Sequence, residues 1–174
     1  GNYRISKRNI LSFKTNSETS NFDIDFALNE IAVTRKNTTS MISIETWLDG
    51  EYLTSYWADG LIISTPTGST GYSLSCGGPI IMPESETLVL TPIAPHNLNA
   101  RPLIISAKHI IRLKIKGRGK EFFLSLDSRI NSLKTSTEII IKKAPYQIKM
   151  IELKGGSFIQ ALRKKLLWGV NQRN

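Results

Sequence analysis

Cysteine is almost absent from this sequence of 174 residues. Cys76 stands alone, which excludes a disulfide framework and a multi-cysteine zinc site and fits a reducing compartment. Histidine is nearly as scarce, and the two present, His96 and His109, form no His-x-x-x-His pair. No apolar run approaches the roughly 20 residues that span a bilayer. Nor do Gly1 to Lys14 hold an apolar core with a small-residue cleavage site. The expectation is a cytoplasmic chain with no membrane partner. A starting Met is also missing, which fits a mature fragment or an excised domain.

What is present describes a folded domain. Hydrophobic residues make up 40% and charged residues 21% of the chain, the balance of a globular protein rather than a disordered or fibrous one. A chain of this length buries roughly 68–70% of its unfolded surface, enough to dispense with staples. The 23 Lys and Arg against 14 Asp and Glu leave a net charge of +9. Such a field favours anionic partners and names none of them.

Strand signals dominate. Tyr3 to Lys14 is mixed, and Thr15 to Asn21 reads as a polar loop. Phe22, Ile24 and Phe26 alternate with polar residues and the pattern resumes through Ile31 and Val33, as one long strand or two with a bend. Met41 to Leu48 and Tyr52 to Trp57 flank Asp49-Gly50, a hairpin signal because type I′ turns need positive φ at both central residues. Leu61 to Ile63, after Asp59-Gly60, reads as a strand covered on both faces. Further strands are expected at Thr87–Thr91, Leu103–Ser106, Ile110–Lys116, Phe122–Leu126, Glu138–Lys142 and Tyr146–Leu153. After Gly155-Gly156, Ser157 can cap a helix carrying Phe158, Leu162, Leu166 and Leu167 at helical spacing. The reading is a mainly β, mostly antiparallel domain with few helices.

The densest unusual segment runs from Ser64 to Ser73, where hydroxyls crowd around Gly68 and Gly71. Glycine admits a ligand close to the backbone, and a helix start favours an anion. A short helix beginning near Thr70, capped by Thr67 or Ser69 and stopped by Gly77-Gly78-Pro79, would provide that. The segment is not a Walker A loop, because no Lys-Ser or Lys-Thr follows the glycines. A tight capped turn explains it equally well. Asn29 and Glu30 place donor and acceptor groups where a buried charge must be solvated, paired or used on a ligand. Asp59 reads either way, as a ligand contact or as the Asp of a turn, and Asp127 as a local partner or a cleft residue. Cys76 lacks a basic neighbour and reads as a small inert side chain. Lys114, Lys116, Arg118 and Lys120 beside Phe122 and Phe123 suit phosphate contacts with stacking, so a nucleic-acid-binding or structural assembly domain stands as the alternative.

Taken together, Asn29-Glu30, the run Asp59 to Tyr72, Gly77-Gly78-Pro79, Thr91-Pro92-Ile93, Pro95-His96 and Arg101-Pro102 closely resemble the NAD kinase family. The likeness covers nearly the whole chain, including Asp127-Ser128-Arg129. It implies an enzyme that moves the γ-phosphoryl of ATP, or of polyphosphate in some members, to the adenosine-ribose 2′-hydroxyl of NAD with a divalent ion such as Mg²⁺. It implies, for residues 1–174, the β-sandwich-like C-terminal NAD-binding domain, with an α/β N-terminal domain elsewhere and the dinucleotide between them. Asn29 and Glu30 would then contact the ribose and diphosphate. Thr67, Thr70, Gly71, Tyr72 and Ser75 would line the adenine, ribose and nicotinamide sites, with Ala94 beside them. Asp59 would lie near the nicotinamide end of its own or a neighbour's ligand. The family's Gly-Gly-Asp-Gly motif has no match, since Pro79 and Ser157 follow the two glycine pairs. No residue of the chain therefore takes a catalytic or metal-ligating role, and the chain alone is expected to be inactive. The resemblance also implies a homodimer or homotetramer, with no nucleic acid.

Overall fold

The computed structural model describes residues 2–16, 24–37, 40–153 and 155–168. In chain order the strands are β1 (Tyr3–Arg8), β2 (Leu11–Thr15), β3 (Phe26–Ala27), β4 (Glu30–Arg35), β5 (Ile42–Leu48), β6 (Glu51–Ala58) and β7 (Gly60–Ser64). They continue as β8 (Thr87–Ile93), β9 (Leu103–Ser106), β10 (Ile111–Lys116), β11 (Glu121–Leu126), β12 (Arg129–Lys134), β13 (Glu138–Lys143) and β14 (Ile148–Leu153). Two helices, α1 (Tyr72–Ser75) and α2 (Phe158–Lys165), and a 3₁₀ turn at Gly68–Thr70 complete the elements. Among the described residues no helix is long and apolar enough to cross a membrane.

Two six-stranded antiparallel sheets form a sandwich, in the orders β3-β2-β13-β10-β5-β6 and β12-β11-β4-β7-β8-β9. In the first sheet, alternation sorts the faces as a period of two requires. Ile42 and Ile44, Ile111, Leu113 and Ile115, and Ile139 and Ile141 enter the core, while Glu45, Lys114 and Lys116 point away. Ile31, Val33, Leu61, Ile63, Leu88 and Leu90 meet them from the second sheet. β7 is buried at all five positions, so its expected cover on both faces is observed. The second cover comes from the segment around α1, where Ser73 Oγ and Thr91 Oγ1 hydrogen-bond at 2.8 Å across the outer face.

The hairpin β5–β6 turns through Asp49 at φ 50° and Gly50 at φ 90°, the two positive angles its sequence called for. Phe26 to Val33 resolves into two strands in different sheets, with the bend at Leu28-Asn29. The polar loop and Phe22 lie largely outside the described residues. One strand was not foreseen, β12, whose only buried residue is Leu133. The expected N-caps are not observed either. Thr67 makes no side-chain cap hydrogen bond, and α1 starts at Tyr72 with Gly71 at its N-cap. Ser69 Oγ instead donates to Pro66 O at 2.7 Å and accepts from Ile81 N. Thr65 Oγ1 takes the Gly68 N–H at 3.2 Å.

Among the described residues β1 and β14 pair only with each other, Tyr3 opposite Leu153 through Arg8 opposite Ile148, as a two-stranded sheet of their own. α2 is capped by Ser157, whose Oγ accepts the Gln160 N–H at 3.1 Å, as its sequence suggested. No residue of α2 is buried.

Candidate functional site

The bend between β3 and β4 carries Asn29 and Glu30, and it is held on two sides. On its carbonyl side, Leu28 O accepts Thr65 Oγ1 at 2.7 Å and Asn29 O accepts Thr65 N at 2.9 Å. The hydroxyl-glycine loop is thereby stitched to the Asn-Glu pair. Gly68 presses so closely on this backbone that a Cβ there would overlap the Asn29 carbonyl. On the amide side, the Asp127 carboxylate receives Leu28 N at 3.0 Å, Asn29 N at 2.7 Å and Glu30 N at 3.2 Å.

The loop then brings Gly71 and Tyr72 over Glu30. A Cβ on Gly71 would sit 3.8 Å from Glu30 Oε2. Thr70, Gly71, Tyr72 and Ser75 are exposed, Thr67 half-buried, and Tyr72 leaves 43% of its surface open. Burial raises the Tyr72 hydroxyl above its ordinary range, with Cys76, Asp59 and Glu30 adding to the effect. Glu30 is itself pushed up to about 7, first by desolvation and then by the charge of Asp127. A carboxyl so poised exchanges its proton near neutrality and accepts hydroxyl hydrogen bonds when ionised. Cys76 is half-buried with a thiol raised by burial, in keeping with an inert side chain.

Asp59 and Ala94 lie at the other end. Glu30 pairs with Ser64 and Thr34 with Gly60, so Asp59 stands about 16 Å along the ladder from Glu30. Its carboxylate meets Arg35 at 2.9 Å, a partner the sequence gave no sign of. Ala94, exposed and at φ 42°, follows Ile93, whose carbonyl accepts the Asp59 N–H. Trp57 and His96 meet beside this end with ring centroids 5.5 Å apart and planes tilted by 47°. The candidate residues thus fall into two groups at opposite ends of the paired strands β4 and β7, Asn29 and Glu30 with the exposed loop at one end and Asp59 with Ala94 at the other.

Asp127, like Asp59, is a residue that reading the sequence left undecided. Its signal was an Asp at a strand end followed by Ser-Arg, and nothing local shows which backbone it will serve. The grouping of lysines with phenylalanines comes apart in the structure. Lys114 and Lys116 pair with Glu138 and Glu45 on the first sheet, Phe122 is buried in the core, and Phe123 lies under Lys36. Among the described residues no three His, Cys, Asp or Glu side chains form a group able to hold a metal ion.

A model of the ATP-NAD kinase C-terminal domain matches residues 28–153. The NAD kinase of Christiangramia forsetii is 64% identical over 99% of the chain, and that of Flavobacterium psychrophilum 61% identical over 99%. In each case the chain spans 59% of the relative's length. The crystal structure of yeast NADH kinase complexed with NADH superposes with a TM-score of 0.86 at 30% identity, over 96% of this chain and 51% of that one. An NAD kinase from Archaeoglobus fulgidus in complex with ATP superposes with a TM-score of 0.73 at 28% identity, over 86% and 56% of the two chains.

Proposed function

The chain belongs to the NAD kinase family, matching its C-terminal domain, and from that membership we propose that it forms the dinucleotide-binding part of an ATP-dependent NAD kinase. In the whole enzyme the γ-phosphoryl of ATP passes to the adenosine-ribose 2′-hydroxyl of NAD. The observation that carries this reading is the convergence of Glu30, Gly71 and Tyr72 on one solvent-open face, joined by Thr65 to Asn29.

Phosphoryl transfer needs an acceptor hydroxyl fixed in line with the donor, and positioning supplies much of the rate. Glu30 and Asn29 are suited to hold the ribose, Glu30 by accepting its hydroxyl hydrogens. Thr67, Thr70, Gly71, Tyr72 and Ser75 offer hydroxyls, backbone and a ring face to the adenine and ribose. Asp59 and Ala94, about 16 Å away, suit the nicotinamide end or a ligand held by a neighbouring copy in a homodimer or homotetramer. Mg²⁺, when bound, neutralises phosphate charge. Its ligands and the acid-base group of a Gly-Gly-Asp-Gly motif fall outside this chain, as does the rest of a two-domain enzyme. The 174 residues alone are accordingly inactive.

Two measurements test this. NAD titrated onto the chain should protect 65–75 from hydrogen exchange, and Glu30→Ala should weaken binding by roughly ten- to a hundred-fold, as for a charged hydrogen bond left unmade. A coupled NADP assay with ATP and Mg²⁺ should give no turnover from the chain alone. Turnover equal to that of a full-length relative would overturn the inactivity, and undiminished binding by Glu30→Ala would overturn the site.

A further inference from the structure

We propose that Asp127 is a positioning residue of the dinucleotide site: by gathering three consecutive N–H groups it fixes the bend that presents Glu30 to Gly71 and Tyr72. The inference rests on the function proposed above and assigns a role to a residue that neither the loop motif nor the Asn-Glu pair includes.

The chain changes sheets at Leu28 and Asn29, leaving the first sheet with β3 and entering the second with β4. Three amides at this crossing point toward one spot, and buried amides without acceptors carry a full desolvation cost. A neutral acceptor would satisfy one or two of them. A carboxylate offers two oxygens and makes stronger, charge-assisted bonds to all three. The opposite side of the same bend is already tied to Thr65, so Asp127 closes a clamp whose two jaws come from different hairpins. Asp127 N in turn donates to Glu30 O at 3.0 Å, which locks the pair in register.

Asp127 is itself anchored. It sits at φ 52° in the turn between β11 and β12, a region Asp and Asn enter more readily than other side-chain-bearing residues. Arg129 lies 3.6 Å from its carboxylate and bonds the Phe26 and Leu126 carbonyls. The charge has a second effect, since it and burial together delay the ionisation of Glu30. After burial, the group acting on Glu30 is thus Asp127 from the turn, which itself lies 3.6 Å from Arg129 of β12, and Glu30 in turn acts on the Tyr72 hydroxyl of α1.

The test uses the full-length enzyme with Asp127→Asn, Glu30→Gln and the double variant. Carboxyl-carbon NMR of the unliganded protein reads the Glu30 midpoint directly, and Asp127→Asn should lower it by about one unit. The KM for NAD should rise roughly tenfold, the loss expected of a weakened charged hydrogen-bond set, while the KM for ATP stays unchanged. Adding Asp127→Asn to Glu30→Gln should raise the KM for NAD much less than it does alone. A matching rise in both KM values, an unmoved Glu30 midpoint, or full additivity would overturn the proposal. A wild-type enzyme that fails to bind NAD would instead overturn the dinucleotide reading on which it stands.

Discussion

Glu30 is the residue at which stability and ligand binding pull apart. Its carboxyl titrates near 7 in the folded chain because burial and Asp127 oppose its charge, whereas in the unfolded chain it ionises near the ordinary Glu value of about 4.3. A group whose folded pKa is raised favours the fold at low pH, and that contribution disappears as pH climbs from about 4 through 7. At pH 8 the ionised Glu30 therefore costs stability, about 1–2 kcal/mol once the screening of a half-exposed group is allowed for. Glu30→Gln should raise the thermal midpoint at pH 8 by a few degrees and leave it nearly unchanged at pH 4, while weakening NAD binding. Calorimetry at the two pH values decides this. An equal shift at both would mean that packing, not ionisation, is responsible.

The hydroxyl-glycine loop behaves as one element with the bend it touches, and its two glycines serve different ends. At Gly68 a methyl group would drive the Asn29 carbonyl away, so Gly68→Ala should cost about 2–3 kcal/mol and reduce NAD affinity. At Gly71 the added Cβ would lie 3.3 Å from Gly68 O and 3.8 Å from Glu30 Oε2, with φ at −101°. Gly71→Ala asks only a small shift of the Gly68 carbonyl and should therefore cost less than Gly68→Ala, about 1 kcal/mol or under. Denaturant unfolding with parallel NAD titration separates the two, and equal losses would contradict the packing described. Much of this architecture was legible beforehand. Asp49-Gly50 announced its hairpin because only certain residues enter positive φ, and β7 its double cover because an unbroken apolar run must be hidden. β12 gave no such signal: in Arg-Ile-Asn-Ser-Leu-Lys only Leu133 turns inward, and its pairing is dictated by β11. Thr67 and Ser69 suggested caps by residue type, but the tertiary contacts of Thr65 and Ile81 claim the loop's hydrogen bonds first. Asp59 was expected near the nicotinamide end by family likeness alone, and its pairing with Arg35 depends on a ladder register that spacing does not reveal.

On the scale of the whole molecule, stability is unevenly distributed. β4, β7 and β8 sit at the centre of a six-stranded sheet with the core on one side and the α1 segment on the other. β1 and β14 have only each other, with Ile5, Ile151 and Leu153 exposed by 57%, 70% and 74%. A lone two-stranded ribbon is marginal in water, and so is an eight-residue helix with no fully buried residue. Native-state hydrogen exchange on this chain should find amides of β1, β14 and α2 opening well below the global free energy, and those of β4, β7 and β8 only with it. Uniform protection would show the ribbon to be part of the cooperative core.

The ribbon has a mechanical side as well. Because Tyr3 stands opposite Leu153, the polypeptide reaches the sandwich and departs from it through a single doorway. Any body fused ahead of Tyr3 shares its mooring with α2, because β1 and β14 run side by side.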